Sequence, residues 1–180
     1  MKTRPAKLGD IPGILTLETV CFVHIGERFN RRQVAGLIRN PRAITLVATR
    51  GTGLVGWTCA LVRSAGRGKV PAGRLYALAV HPAMRGRRVG QTLTRQALQG
   101  LQDRGVQRTY LEVRQRNLAA IRLYESMGFV RGQELKDYYG PGIDGIKMLR
   151  AQTSARIRSA KPRKLGPTAE PARESRAKGW

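Results

Sequence analysis

Arg74-Leu-Tyr-Ala-Leu-Ala-Val-His-Pro82, Arg85-Gly-Arg-Arg-Val-Gly90, Tyr110-Leu-Glu-Val-Arg114 and the run from Asn117 through Tyr124 to Phe129 follow one another along the chain. The first holds an apolar strand, Tyr76 to Val80, which His81-Pro82 ends because proline cannot donate to a ladder. After the basic turn, Val89, Leu93, Ala97 and Leu101 recur every four residues, the mark of one helical face, and Gly105 supplies a stop. Arg108 to Val113 alternates, so Leu111 and Val113 face one side of a strand while Tyr110 and Glu112 face the other. Asn117 is a good N-cap for a last helix with Leu118, Ile121 and Leu123 as its apolar surface. Gly128 ends that helix, with Phe129 as the apolar residue behind it.

Each piece has a chemical reading beside a bland one. A helix that starts directly after a turn presents unpaired N–H groups and the positive end of its dipole, which suits an anion. Arg85, Arg87 and Arg88 add charge complementarity for a diphosphate, although many basic turns before surface helices are simply solvated. A glutamate in mid-strand is depleted and expensive to bury unpaired. Glu112 is therefore either an exposed residue paired to Arg114 or Arg108, or a carboxylate kept for proton transfer. Tyr138-Tyr139, ahead of Gly140-Pro141-Gly142 and Asp144-Gly145, reads as strand, polar turn and a final strand from Ile146 to Leu149. The tyrosine pair serves packing or recognition.

Taken together, these segments resemble the GNAT acyltransferase superfamily, and within it the type that acetylates protein N-termini, ribosomal-protein alanine among them. The string Glu112-Val-Arg, Asn117, Ala120, Leu123-Tyr124 and Gly128-Phe129 carries the resemblance, which is strongest over residues 74–150. It implies acetyl-CoA as co-substrate, Glu112 as general base and Tyr124 as general acid. It also implies coenzyme contacts from Leu78, Val80, Arg85, Gly86, Arg87, Arg88, Val89, Gly90, Asn117 and Tyr124, with a backbone N–H at Val80 facing the thioester carbonyl. Tyr138 and Tyr139 would help enclose the substrate's first residues, and the loop from Phe22 to Phe29 would shape the substrate mouth. One position departs from the family's turn, Gln/Arg-x-x-Gly-x-Gly/Ala: Arg88 stands where the first glycine is expected.

The implied chemistry suits these residue types. Only a neutral amine attacks a thioester, and the leaving thiolate needs a proton. An α-amine has a reference pKa of about 7.7–8.0 against about 10.4 for lysine, so deprotonating lysine costs roughly 3.5 kcal/mol more. A glutamate acting through a water suits the easier amine.

The 180 residues are enough for one domain, 1–150, and an extension, 151–180. The formal charge is +23; residues 151–180 hold 8 basic and 2 acidic side chains, and residues 1–150 hold 26 and 9. Such a balance suggests an anionic setting such as ribosomal RNA, or only a well-solvated basic surface, and disfavours a lysine-rich protein substrate. The extension is rich in Ala, Pro, Arg, Lys and Ser with no periodic apolar face, so it reads as a disordered basic tail, either a solubility segment or a nucleic-acid tether.

Upstream, the pattern predicts a strand near Lys2–Pro5, a helix capped by Asp10 and running to about Cys21, and a helix near Arg31–Arg39 entered from Asn30. Strands at Ala43–Thr49 and Leu54–Val62 would join through a hairpin at Arg50–Gly53, with a Gly/Arg/Lys loop from Ser64 to Gly73. The fold class is therefore α/β, a mixed central sheet flanked by helices on both faces. Cys21 and Cys59 lack metal-ligand spacing and are too few for a disulfide framework, so reduced thiols in a cytoplasmic protein are expected. Because Met1–Lys7 lacks an apolar core and no run approaches spanning length, neither a secretory signal nor a membrane-spanning segment is expected, and the isolated His24 and His81 predict no metal site. Three readings stay open: an Nα-acetyltransferase, an acetyltransferase of a small amine, and a non-catalytic RNA- or ribosome-binding protein with an acyl-CoA fold.

Overall fold

The structure, a computed structural model, describes residues 1–22, 26, 28–63 and 70–151. His24, most of the Ser64–Gly73 loop and the tail beyond Ala151 lie outside these residues. The elements run in the expected order: β1 (Lys2–Pro5), α1 (Ile11–Cys21), α2 (Arg31–Arg39), β2 (Ala43–Arg50), β3 (Gly53–Arg63), β4 (Ala72–Val80), α3 (Val89–Gln102), β5 (Arg108–Arg114), α4 (Leu118–Glu125), β6 (Val130–Leu135) and β7 (Gly145–Ala151). They form one seven-stranded sheet in the order β1-β2-β3-β4-β5-β7-β6, antiparallel throughout except where β4 meets β5.

Helices cover both faces. On one, Ile14 and Leu17 of α1 and Val34 of α2 bury Val47, Trp57 and Ala79. On the other, Leu98 and Leu101 of α3 and Ile121 of α4 bury Leu75, Leu111, Val113 and Met148. Burying each such side chain contributes about 1.5–3 kcal/mol, so these two layers outweigh any single polar contact.

The parallel contact between β4 and β5 is short. Ala72, Gly73 and Arg74 pair with Arg108, Thr109 and Tyr110, and no pairing continues from Leu75 to Val80 or from Leu111 to Arg114. The two strands splay and open a cleft between the halves of the sheet. A bulge opposite Cys59 and Ala60 places Tyr76 as the extra residue of β4 and reverses which side chains face α3 beyond it.

Local chemistry corrected two expectations. Asp10 stands at the start of α1 but does not cap it; its carboxylate accepts from Arg4 at 2.6 and 2.7 Å and from the Lys7 N–H at 2.7 Å. A 3-10 turn, Leu8–Asp10, runs straight into α1 and gives Asp10 helical dihedrals, so the carboxylate takes the stronger guanidinium fork. Asn30 does cap α2, in a reciprocal box with Gln33. The tyrosine pair does not end a strand either. Tyr138 and Tyr139 lie in a turn after β6, tied by Asp137 N–H to Asp144 Oδ1 at 2.9 Å and Gly142 N–H to Asp137 Oδ1 at 2.6 Å.

Candidate active site

The turn before α3 could hold an anion. Among the described residues the backbone N–H groups of Gly86 through Gln91 take no partner; the first bond of the helix is Thr92 N–H to Arg88 C=O, at 2.9 Å. These donors open the 14-residue α3, with Arg85, Arg87 and Arg88 beside them. Arg88 adopts φ 60 and ψ 11, the left-handed region. That explains why a glycine belongs there: the turn needs a positive φ, and here an arginine meets the need under strain. Gly90 packs close to β4 and α4, since a Cβ there would stand 3.4 to 3.7 Å from Leu123, Val80 and Leu78. The predicted coenzyme residues Leu78, Val80 and Gly90 thus meet at one edge.

The edge of β4 faces the cleft. His81 N–H donates to Val55 C=O at 3.0 Å across the antiparallel pair with β3. By the alternation of that ladder, the N–H and C=O groups of Val80 and Leu78 point the other way, toward the splay. There the Val80 carbonyl accepts from Cys21 Sγ at 3.3 Å. Burial, the largest cause, raises the Cys21 thiol above its ordinary value, and the nearby Arg85 opposes it.

Glu112 lies on β5 with its side chain 11% exposed, and its partner is neither Arg108 nor Arg114 but Arg74 of β4. Arg74 is the last residue of β4 in register with β5, opposite Tyr110, which brings it beside Glu112 at the vertex of the splay. Its Nε donates to Glu112 Oε2 at 2.9 Å, while Nη2 stands 2.9 Å from the same oxygen in the ion pair and donates to the Tyr138 hydroxyl at 3.2 Å. The guanidinium lies 4.9 Å from the centre of the Tyr76 ring. Burial, the largest single cause, would lower the Arg74 value, but the Glu112 carboxylate together with Tyr138 and Tyr110 more than offsets it, and the guanidinium is raised above its ordinary value.

Tyr124 belongs to the opposite face, among the core residues beneath α4, edge-on to Phe129 at 5.8 Å. Its phenol is pushed up by burial. Glu112 and Tyr124 therefore approach from opposite faces of β5, and the splay joins those faces. Tyr139, edge-on to Tyr138 at 5.0 Å and under the Arg114 guanidinium at 5.4 Å, lies near both. Burial first, then the charges of Tyr138, Glu112 and Tyr124, raise its phenol. Tyr138 is raised by burial and by Glu112, with Arg74 opposing. Asn117 caps α4, accepting from the Ala120 N–H at 3.1 Å.

Two features escaped the sequence reading. One is Arg74, hidden among 34 basic residues, whose only signal was its place on the strand beside Glu112. The other is the anchor of the α1–α2 connection. Phe29 packs edge-on against Trp57 and Tyr76, each at 5.4 Å, while Glu18 accepts from Phe29 N–H at 3.0 Å and Trp57 Nε1 at 2.8 Å. Residues 23–25 and 27 of that connection are not described. A separate groove of about 260 Å³ beside α3, lined by Arg95, Ser126 and Arg150 among others, contains none of the side chains singled out from the sequence.

The described residues fit a coenzyme bearing a pyrophosphate and a pantetheine arm: a row of free N–H donors, three arginines, and an unpaired strand edge leading to a carboxylate and a phenol. The model of the acetyltransferase (GNAT) family matches residues 11–129. A mycothiol acetyltransferase of Thermobispora bispora is 39% identical over 93 residues, 51% of this chain and 31% of that protein. A [ribosomal protein bS18]-alanine N-acetyltransferase of Escherichia coli K12 is 41% identical over 71 residues, 39% of this chain and 47% of that protein. The matches thus span about a third to a half of the length of these curated relatives. The solved ribosomal-protein-S18-alanine N-acetyltransferase from Escherichia coli superposes with a TM-score of 0.74 at 22% identity, covering 89% of this chain and 99% of that one. The chain therefore belongs to the acetyltransferase (GNAT) family, whose acyl donor is acetyl-CoA.

Proposed function

We propose that this protein is an N-acetyltransferase that moves the acetyl group of acetyl-CoA directly to a protein N-terminal α-amine, a ribosomal protein's among the candidates. The observation that carries the reading is the splay beside the turn: the free N–H row at Gly86–Gln91 and the open edge of Leu78 and Val80 lead toward Glu112, with Tyr124 buried on the other face of β5. Acetyl-CoA supplies the activated thioester. Gly86 through Gln91, with Arg85, Arg87 and Arg88, hold its diphosphate, and the Val80 N–H donates where negative charge develops on the carbonyl. Glu112 takes a proton from the attacking amine, directly or through a water, and Tyr124 gives one to the departing thiolate. Asn117 holds the start of α4 and so the direction of Tyr124. Tyr138 and Tyr139 border the place where the peptide's first residues lie. The likeness to the bS18-alanine enzyme supports the α-amine, and the +17 balance of residues 1–150 supports a substrate presented near RNA in the cytoplasm.

Incubation with acetyl-CoA and a library of N-terminal peptides, read by mass spectrometry, tests the reading. Acetylated peptide α-amines are expected, and Glu112→Gln should lose most activity at low pH with partial recovery as pH rises. Wild-type rates in both Glu112→Gln and Tyr124→Phe would sink the acid–base assignment. A second reading is favoured by the mycothiol acetyltransferase match: acetylation of a small amine. Modification of small amines with no peptide product would establish it instead. Donor binding without any transfer would leave the non-catalytic binding protein. Salt-titrated RNA binding addresses the partner: the chain lacking residues 151–180 should bind more weakly and with a smaller salt slope, by about 0.7–0.9 per lost phosphate contact. Equal affinities and slopes would remove the tail from that role.

A further inference from the structure

Arg74 sets two guanidinium nitrogens against one oxygen of Glu112, one of them hydrogen-bonded to it. Nε and Nη2 both reach Glu112 Oε2 at 2.9 Å, and among the described residues Oε1 takes no partner. Nη2 continues to the Tyr138 hydroxyl at 3.2 Å, so one guanidinium spans β4, β5 and the turn at the peptide's end of the cleft. We propose that Arg74 is a positioning residue for acetyl transfer, clamping Glu112 by Oε2 so that Oε1 is the atom that receives the amine's proton. The proposal deepens the reading of Glu112 as base and rests on it.

The other charged and titratable groups around Glu112 are engaged elsewhere. Lys147 of β7 is its cross-strand partner, yet its Nζ lies 4.8 Å from the centre of the Tyr110 ring. Arg114 of β5 lies over Tyr139. Tyr76 of β4 packs under Arg74, while Tyr138 and Tyr139 of the turn and Tyr124 of α4 are phenols that burial keeps neutral. Arg74 is thus the cation that bonds the carboxylate. Without Arg74 an 11%-exposed carboxylate among phenols loses the charge partner that offsets its desolvation. The clamp also holds one rotamer, which a proton acceptor needs when the amine arrives.

The test is the pH dependence of kcat/KM, with acetyl-CoA and the best acceptor from the library, for wild type, Arg74→Gln, Arg74→Lys, Glu112→Gln and the Arg74→Gln/Glu112→Gln double variant. Arg74→Gln should lower kcat about tenfold or more and move the acidic limb up by about one pH unit or more, with acetyl-CoA affinity nearly unchanged. Arg74→Lys should restore the position of the limb but only part of the rate, because a single ammonium cannot fork onto Oε2 and Tyr138 together. In the Glu112→Gln background the Arg74→Gln change should cost little more. An unmoved limb in Arg74→Gln, or losses that multiply in the double variant, would overturn the clamp while leaving Glu112 as base. Undiminished rates in Glu112→Gln would remove the base itself. If Arg74→Gln does not fold, Arg74→Lys decides: a lowered rate with an unmoved limb supports the clamp, and a full rate overturns it.

Discussion

Arg88 occupies a conformation that L side chains avoid, at the point where the chain turns into α3. The left-handed backbone costs a non-glycine residue about 1–2 kcal/mol, and glycine gives back about 0.5–1 kcal/mol through the freedom of the unfolded chain. Arg88→Gly should therefore raise stability by up to about 1 kcal/mol, a rise of roughly 2–4 °C in Tm for a domain of this size. Acetyl-CoA affinity should fall less than tenfold, because Arg85, Arg87 and the free N–H groups remain; thermal melts and calorimetric titration check both. Tyr124 makes a second residue-scale prediction. Its phenol is raised by burial, so it stays protonated until the pH exceeds the ordinary phenol value of about 10. A group needed in its protonated form is lost only as pH rises through its folded-state value. Between about pH 8 and 10 the rate should show no decline from this group, and Tyr124→Phe should lower the rate without changing the profile there. A decline present in wild type and absent in the phenylalanine variant would contradict this.

Among elements, the short seam between β4 and β5 controls the cleft. Gly73 lies in it, and a Cβ there would come within 2.7 Å of Leu101 Cδ1 and 3.0 Å of Val106 Cγ1. Gly73→Ala should destabilise the fold by about 1–3 kcal/mol, measured by denaturant unfolding, because the packed core must shift to admit the methyl group. Wild-type stability would show that the seam yields easily. The elements themselves were legible in the sequence: periods of four and of two, Asn30, Pro82 and Gly105 mark most boundaries within a residue or two, whereas β6 ends at Leu135, ahead of the tyrosine pair, and β4 begins at Ala72, ahead of the apolar run. The strand and helix that carry Glu112, Asn117 and Tyr124 were legible too. What stayed hidden came from pairings distant in sequence. No local pattern says that β7 inserts between β5 and β6, or that β4 and β5 part after Arg74. For the same reason Glu112 was read against its neighbours on its own strand. Asp10 was read as a cap because the competing Arg4 fork depends on where β1 lies.

At the scale of the whole molecule, the sheet is two subsheets, β1 to β4 and β5 to β6, joined by Ala72–Arg74 against Arg108–Tyr110 and by the helices above and below. Acetyl-CoA bound along Leu78 and Val80 and at Gly86–Gln91 would add hydrogen bonds that the protein lacks alone. Amide exchange at Leu78, Val80 and Gly86–Gln91 should slow strongly with acetyl-CoA, and the fold should gain about 2.7 kcal/mol at a hundred times Kd. Unchanged exchange and an unchanged midpoint at millimolar ligand would remove the donor from this cleft. The open seam also has a consequence for the order of events. The donor acts as the missing rung of a ladder, and until that rung is in place the β4 wall is free to tilt against the wall that carries both Glu112 and Tyr124. Loading with donor is then a prerequisite for reading an acceptor at all, and the enzyme should capture acetyl-CoA before it recognises any amine.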